Sequence, residues 1–154
     1  LEGEIGNFIN PSKQTNLEYL DLSNNKFTGD LGEEKNYNVF KLPKLRTLLL
    51  SLNCFHGGLV EAGICNTSAN TLYLNGLSVG ASCNIKYLNL AHYFRKQKFV
   101  SGTIPSCLFE NLNLTTLVMQ SNGLVGQLPS DYLVRNSSLV QLDLAHNKIK
   151  GQLG

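Results

Sequence analysis

A solenoid of short, stacked parallel strands is the fold this sequence predicts. Three observations predict it. A comb of leucines recurs, as in Leu17-Glu18-Tyr19-Leu20-Asp21-Leu22 and Leu139-Val140-Gln141-Leu142-Asp143-Leu144. An Asn follows the clean combs in phase, at Asn25, Asn53 and Asn147, and again at Asn122, where Met119 replaces a leucine of the comb. A Gly and a turn then close the unit, as at Gly29 and Gly151. A single such unit cannot bury its own apolar face, so neighbours must stack into a continuous core.

Each part of the unit has a physical role. Leu20 and Leu22 point the same way on a short strand, because side chains alternate along it. The Asn turns inward where the strand ends, and a buried amide is tolerable only when bonded. The next apolar residue, such as Phe27 or Ile149, re-enters the core. The Gly permits a turn that other residues resist. The return stretch supplies an outer apolar patch, as at Val39-Phe40, Leu108-Phe109 and Tyr132-Leu133.

The units start at Leu17, Leu45, Ala69, Ile85, Leu114 and Leu139, which predicts about six strands plus partial terminal repeats in one domain, residues 1–154. The steps are 28, 24, 16, 29 and 25 residues. A coil needs at least about 20 residues, so the 16-residue step marks residues 75–99 as irregular. The first and last segments, Leu1-Glu2-Gly3-Glu4-Ile5-Gly6 and Ile149-Lys150-Gly151-Gln152-Leu153-Gly154, both read as the second half of a unit. The expectation is a piece of a longer solenoid. No apolar run reaches the roughly 18 to 20 residues that span a membrane. A net charge of +2 is too small to argue for nucleic acid.

Asn66, Asn113 and Asn136 each head an Asn-x-Ser/Thr triplet near a strand start, where a glycan has surface room. Four cysteines, Cys54, Cys65, Cys83 and Cys107, allow three full pairings, and the sequence does not choose among them. Cys65 and Cys83 stand at comparable positions before strands and are candidates to bridge adjacent coils. Cys54, directly after Asn53, reads as a small buried residue. Together these features favour a secreted or lumenal chain.

At this point the residues resemble a family. The stretch Leu139 to Gly151 is similar to the plant-type extracellular leucine-rich repeat, LxxLxLxxNxLxGxIP, as are Val100-Ser101-Gly102-Thr103-Ile104-Pro105 and Leu124-Val125-Gly126-Gln127-Leu128-Pro129. Ile104-Pro105-Ser106-Cys107-Leu108 resembles repeats of plant receptor-like proteins. Gly6, Gly32 and Gly154 replace the Pro, and residues 75–99 depart from the pattern. The resemblance implies a leucine-rich repeat solenoid at the cell surface or outside the cell, sensing an extracellular peptide or protein, often beside a co-receptor. The alternatives are a secreted inhibitor of a cell-wall-degrading hydrolase and a structural scaffold subunit.

On the concave face, the residues between buried leucines point outward. The candidates there are Tyr19, Leu49, Tyr73, Tyr87, Asn89 and Val118. Leu49, Tyr73 and Val118 share one column, with Tyr87 expected beside Tyr73, giving a patch with aromatic anchors. Arg95 and Lys96, in the stretch from His92 to Phe99, are candidates to clamp an acidic or carboxylate-bearing ligand. No catalytic constellation, metal set or cofactor motif stands out. Asp21 and Asp143 share a column, but five strand steps of about 4.8 Å put them roughly 24 Å apart, too far for paired carboxylate chemistry.

Overall fold

A computed structural model describes residues 1–80, 83, 100–128 and 136–151. Two parallel sheets run the length of the coil. The concave sheet is built from β2 (Tyr19–Asp21), β4 (Thr47–Leu49), β6 (Thr71–Tyr73), β8 (Thr116–Val118) and β10 (Gln141–Asp143), in the order β10-β8-β6-β4-β2. The second sheet holds β1 (Glu2–Glu4), β3 (Lys26–Asp30), β5 (Cys54–Gly58), β7 (Val100–Gly102), β9 (Gly123–Gln127) and β11 (Lys148–Lys150), in that order. Short helices, α1 (Glu34–Tyr37), α2 (Glu61–Ile64) and α3 (Cys107–Glu110), carry the convex return.

The comb does what its spacing demands. Leu45, Leu48, Leu50, Leu72, Leu74, Leu114, Leu117 and Met119 are wholly buried. Each such side chain contributes roughly 1.5–3 kcal/mol on leaving water. Phe27, Phe55 and Leu124 seal the core from the second sheet, and Val39, Phe40, Leu108 and Phe109 seal it from the convex side. The convex pair Tyr132-Leu133 lies outside the described residues.

The in-phase asparagines form a ladder. Asn53 is fully buried and donates to the carbonyls of Leu22 and Leu50, each at 2.9 Å. Its Oδ1 accepts from the Phe27 amide at 3.1 Å. Asn122 donates to Leu74 and Met119, and Asn147 donates to Met119 and Leu144. The third coil has Leu77 in the Asn position, and Asn122 spans the gap by accepting from the Leu77 amide at 3.0 Å. The residue before each rung turns left-handed: Asn24, Leu52, Gly76, Ser121 and His146 have φ between 53° and 61°.

A further buried amide, Asn36, ties the convex side. It accepts from the Gly6 amide and donates to the Asp30 carbonyl, both at 3.0 Å. It also explains Gly29, whose φ is +128° and whose absent Cβ would sit 2.7 Å from the Asn36 side chain. An exposed pair, Lys35 Nζ to Glu4 Oε2 at 2.5 Å, holds the Glu4 carboxyl below its usual range and raises Lys35. Exposed pairs add little to stability.

The irregular middle resolves differently from the expectation. β6 pairs directly with β8, in the register Thr71↔Thr116, Leu72↔Leu117 and Tyr73↔Val118. The concave sheet has five strands among the described residues, and the sixth expected unit, starting at Ile85, lies outside them. The short and long sequence steps belong to one coil. Its concave strand ends at Tyr73 and its second-sheet strand begins at Val100. The chain leaves at Ser78 and returns at Val100, whose amide donates to the buried Ser78 hydroxyl at 2.5 Å.

The disulfides follow from that topology. Cys54 bonds Cys83, and Cys65 bonds Cys107. This overturns the pairing of Cys65 with Cys83 and the reading of Cys54 as a simple buried residue. Because β8 follows β6 in the sheet, the coil beside Cys65 is the one entered through Cys107. Cys83 lies on the excursion, next to Gly80, whose amide donates to the Asn53 carbonyl. It is therefore within reach of Cys54.

Candidate functional site

The concave sheet presents three columns of outward side chains. The register places Asp21, Leu49, Tyr73, Val118 and Asp143 in one line across the strands. Tyr19, Thr47, Thr71, Thr116 and Gln141 form the line beside it. Ser51, Asn75 and Gln120 continue past the strand ends and are committed to the frame: Ser51 Oγ accepts from the Asn75 amide, and Asn75 Oδ1 accepts from the Gln120 amide.

The expected patch is partly re-drawn. Leu49 and Tyr73 are adjacent and half-buried, with surface left to offer. Val118 stands next to Tyr73 but is only 4% exposed, so it supports the patch without presenting a surface of its own. The sheet neighbours of Tyr73 are Leu49 and Val118, not Tyr87. Tyr19 is 61% exposed, two strands away and one column over. Tyr87, Asn89, Arg95 and Lys96 lie outside the described residues.

Two features escaped the sequence reading. One is the run of hydroxyls, Thr47, Thr71 and Thr116, directly alongside the Leu49–Tyr73 line. The other is the spacing of the two acids that end that line, which the sequence placed five strand steps apart and the register places four apart. Asp21 and Asp143 are four strand steps apart, about 19 Å, and bracket an apolar centre. Both carboxylates also shape their own turns. Asp21 Oδ1 accepts from the Ser23 amide at 2.9 Å and from its hydroxyl; Asp143 Oδ1 accepts from the Ala145 amide at 3.1 Å, and its Oδ2 accepts from Gln120 Nε2. Among the described residues, the three columns contain no Lys or Arg.

A shallow cleft of about 250 Å³ lies on the flank where the chain enters the concave strands, lined by Glu18, Lys44, Leu45, Arg46 and Ser68. Lys44 is engaged with Asn16 Oδ1 at 3.2 Å. Among the described residues no group of three His, Cys, Asp or Glu side chains could hold a metal ion. No described helix is long and apolar enough to cross a membrane.

Comparisons with known proteins agree with this geometry. Leucine Rich Repeat family models match residues 16–34 and 135–152. Receptor-like protein 35 of Arabidopsis thaliana is 33% identical over 141 residues, covering 87% of this chain and 14% of the relative. Receptor-like protein 18 of the same plant is 32% identical over 142 residues, covering 88% of this chain and 16% of the relative. This chain thus spans about one-sixth or less of the length of these relatives.

Among solved structures, that of PEPR1–AtPEP1 matches with a TM-score of 0.66 at 24% identity, over 96% of this chain and 17% of that one, and shows the fold. The Arabidopsis receptor kinase HAESA, solved with the peptide hormone IDA and the co-receptor SERK1, matches with a TM-score of 0.53 at 26% identity, over 96% of this chain and 24% of that one. The paired sheets, the Asn ladder, the Gly-x-Ile/Leu-Pro returns and these similarities identify the chain as a leucine-rich repeat protein of the plant extracellular, receptor-like type.

Proposed function

We propose that this chain recognises an extracellular peptide or protein segment across its concave face, as part of a cell-surface receptor-like ectodomain. The observation that carries the reading is the line Asp21, Leu49, Tyr73, Val118, Asp143, with a half-buried aromatic at its centre and an acid at either end. Aromatic anchors concentrate binding energy. Thr47, Thr71 and Thr116 supply hydroxyls along the same path, and an extended ligand crossing the strands would meet them in turn. The two carboxylates favour cationic groups toward the ligand's ends. Similarity to receptor-like proteins and to HAESA, which was solved with a peptide hormone and a co-receptor, supports recognition with a second protein alongside.

A displayed library of random peptides, panned on the chain, tests this. Peptides recovered on the wild type are expected to lose about 2 kcal/mol, roughly thirty-fold in Kd, on Tyr73→Ala. The melting transition of that variant reports whether the sheet is intact. Binders that keep full affinity for a folded Tyr73→Ala variant would remove the concave patch from the account.

A further inference from the structure

We propose that the concave face takes a polyproline-II segment seven residues long, with a basic residue at its first and seventh positions and a proline at its fourth. The inference names a ligand class for the concave recognition reading and rests on that reading.

The strands set the spacing. Side chains in the central line recur at about 4.8 Å per strand. Asp21, Tyr73 and Asp143 occupy every second strand of that line, on β2, β6 and β10. They therefore stand two strand steps apart in turn, about 9.6 Å each. A polyproline-II helix turns once in three residues and rises about 3.1 Å per residue, so it repeats at about 9.3 Å. Laid across the strands, it brings its first, fourth and seventh residues down on Asp21, Tyr73 and Asp143, with a mismatch below about 1 Å over the whole line.

Other backbones fit less well. A β-strand ligand brings down every second residue, about 6.7 Å apart, so its nearest inward residue misses Tyr73 by about 3 Å. An α-helix brings down a residue every 5.4 Å or so and has drifted by about 2 Å at the far acid. It also uses its own carbonyls internally.

The column beside the line favours open carbonyls. Thr47 and Thr116 flank Thr71 in the register, two strand steps apart and hence one polyproline-II turn apart. Thr71 gives its proton to Asn70 Oδ1 at 2.8 Å and remains an acceptor. Among the described residues, the hydroxyls of Thr47 and Thr116 have no partner and are free to donate. Polyproline II has no internal hydrogen bonds, so its carbonyls can meet both.

Charge and packing agree with this placement. The bonds that Asp21 makes to its own turn all fall on Oδ1, which leaves Oδ2 to meet a cation. Asp143 Oδ1 and Oδ2 accept one bond each and keep capacity for another. Tyr19, 61% exposed and two residues before Asp21 on the same strand face, adds an aromatic ring for the cation at that end. Tyr73, half-buried between Leu49 and Val118, offers the aromatic surface on which a proline ring packs. A proline segment is ordered before it binds, so little chain entropy is lost.

The test titrates the whole chain with short peptides, followed by NMR. The lead probe is five prolines between two lysines, acetylated and amidated to remove its terminal charges. One control replaces the five prolines with five glycines. A second has three prolines between the lysines, which shortens the charge separation to about 12 Å. The lead probe is expected to bind at least about ten-fold more tightly than either control. Equal binding by the glycine peptide overturns the polyproline-II assignment, and equal binding by the short peptide overturns the match to the strand spacing. No binding of the lead probe at millimolar concentration overturns both. Asp21→Asn and Asp143→Asn should each weaken the lead probe about three-fold, the effect of an exposed ion pair. Thr47→Val with Thr116→Val should weaken it about ten-fold. Unchanged affinity in these variants, with the melting transition intact, overturns the placement. Panned peptides that depend on Tyr73 yet carry neither proline nor paired basic residues overturn this ligand class and keep concave recognition. Panned peptides that ignore Tyr73 overturn the recognition reading itself.

Discussion

Replacing Cys65 and Cys107 together with alanine is expected to cost the folded chain about 4 kcal/mol, the chain-entropy value for a bridge closing a loop of this size. The two residues are 42 apart in sequence. Between them lie β6, the excursion and β7. Without the bridge, the unfolded chain regains freedom over that segment, limited only by the Cys54–Cys83 bond that still holds its first part. The folded state also loses its covalent stitch between α2 and α3 on the convex side. Against a total stability of roughly 5–15 kcal/mol for a domain, the loss is large. Urea unfolding of the double variant, compared with the parent under non-reducing conditions, measures it. A change below about 1 kcal/mol would mean that packing alone holds those two coils in register.

Asn53→Ala ranks next, at about 3 to 4 kcal/mol. The substitution strands the carbonyl of Leu50 and the amide of Phe27 in the interior and removes one of the two donors, Asn53 and Asn25, that meet the Leu22 carbonyl. Each buried group left without a partner costs about 1–3 kcal/mol, softened where water can enter. Asn25 provides the contrast. It donates to the Leu22 and Ser23 carbonyls but is only partly buried, and water can replace it. Asn25→Ala is therefore expected to cost about 1 kcal/mol. Thermal or urea unfolding of the two variants side by side checks the ranking. Equal losses would show that the ladder contributes by its number of bonds and not by its burial.

Much of the architecture was legible in the sequence, because a comb with a fixed period states its own geometry. Leu48, Leu72 and Leu117 had to face inward, and Asn53, Asn122 and Asn147 had to bond at the strand ends. Both follow from local spacing. The pairing of β6 with β8 was not legible. Ile85-Lys86-Tyr87-Leu88-Asn89-Leu90, outside the described residues, carries the same local pattern as the strands of the concave sheet. Which strands pair is a non-local matter, decided by hydrogen bonds between residues 45 apart in sequence. The two abnormal steps held the signal. Taken together, they equal one coil plus an excursion of about twenty residues.

That single misplacement carried the other errors with it. It put Tyr87 beside Tyr73, and it moved Cys83 to a position equivalent to Cys65. It also hid the symmetry of the central line, because an extra strand separated Val118 from Tyr73. Asn36 was missed for another reason. It falls outside the repeat phase, and nothing in its neighbours signals that its amide will span from Gly6 to Asp30.

The continuity of the concave sheet across the excursion is the claim on which the binding line depends. Thr71→Cys and Thr116→Cys, introduced together, test it most directly. The two positions are register partners on neighbouring strands. A thiol cross-linker too short to span two strand steps, about 10 Å, should join them in high yield, with the junction mapped by mass spectrometry of the digested chain. Failure to join them, while Thr47→Cys and Thr71→Cys join readily, would mean that another strand lies between and that Tyr73 and Val118 are not neighbours.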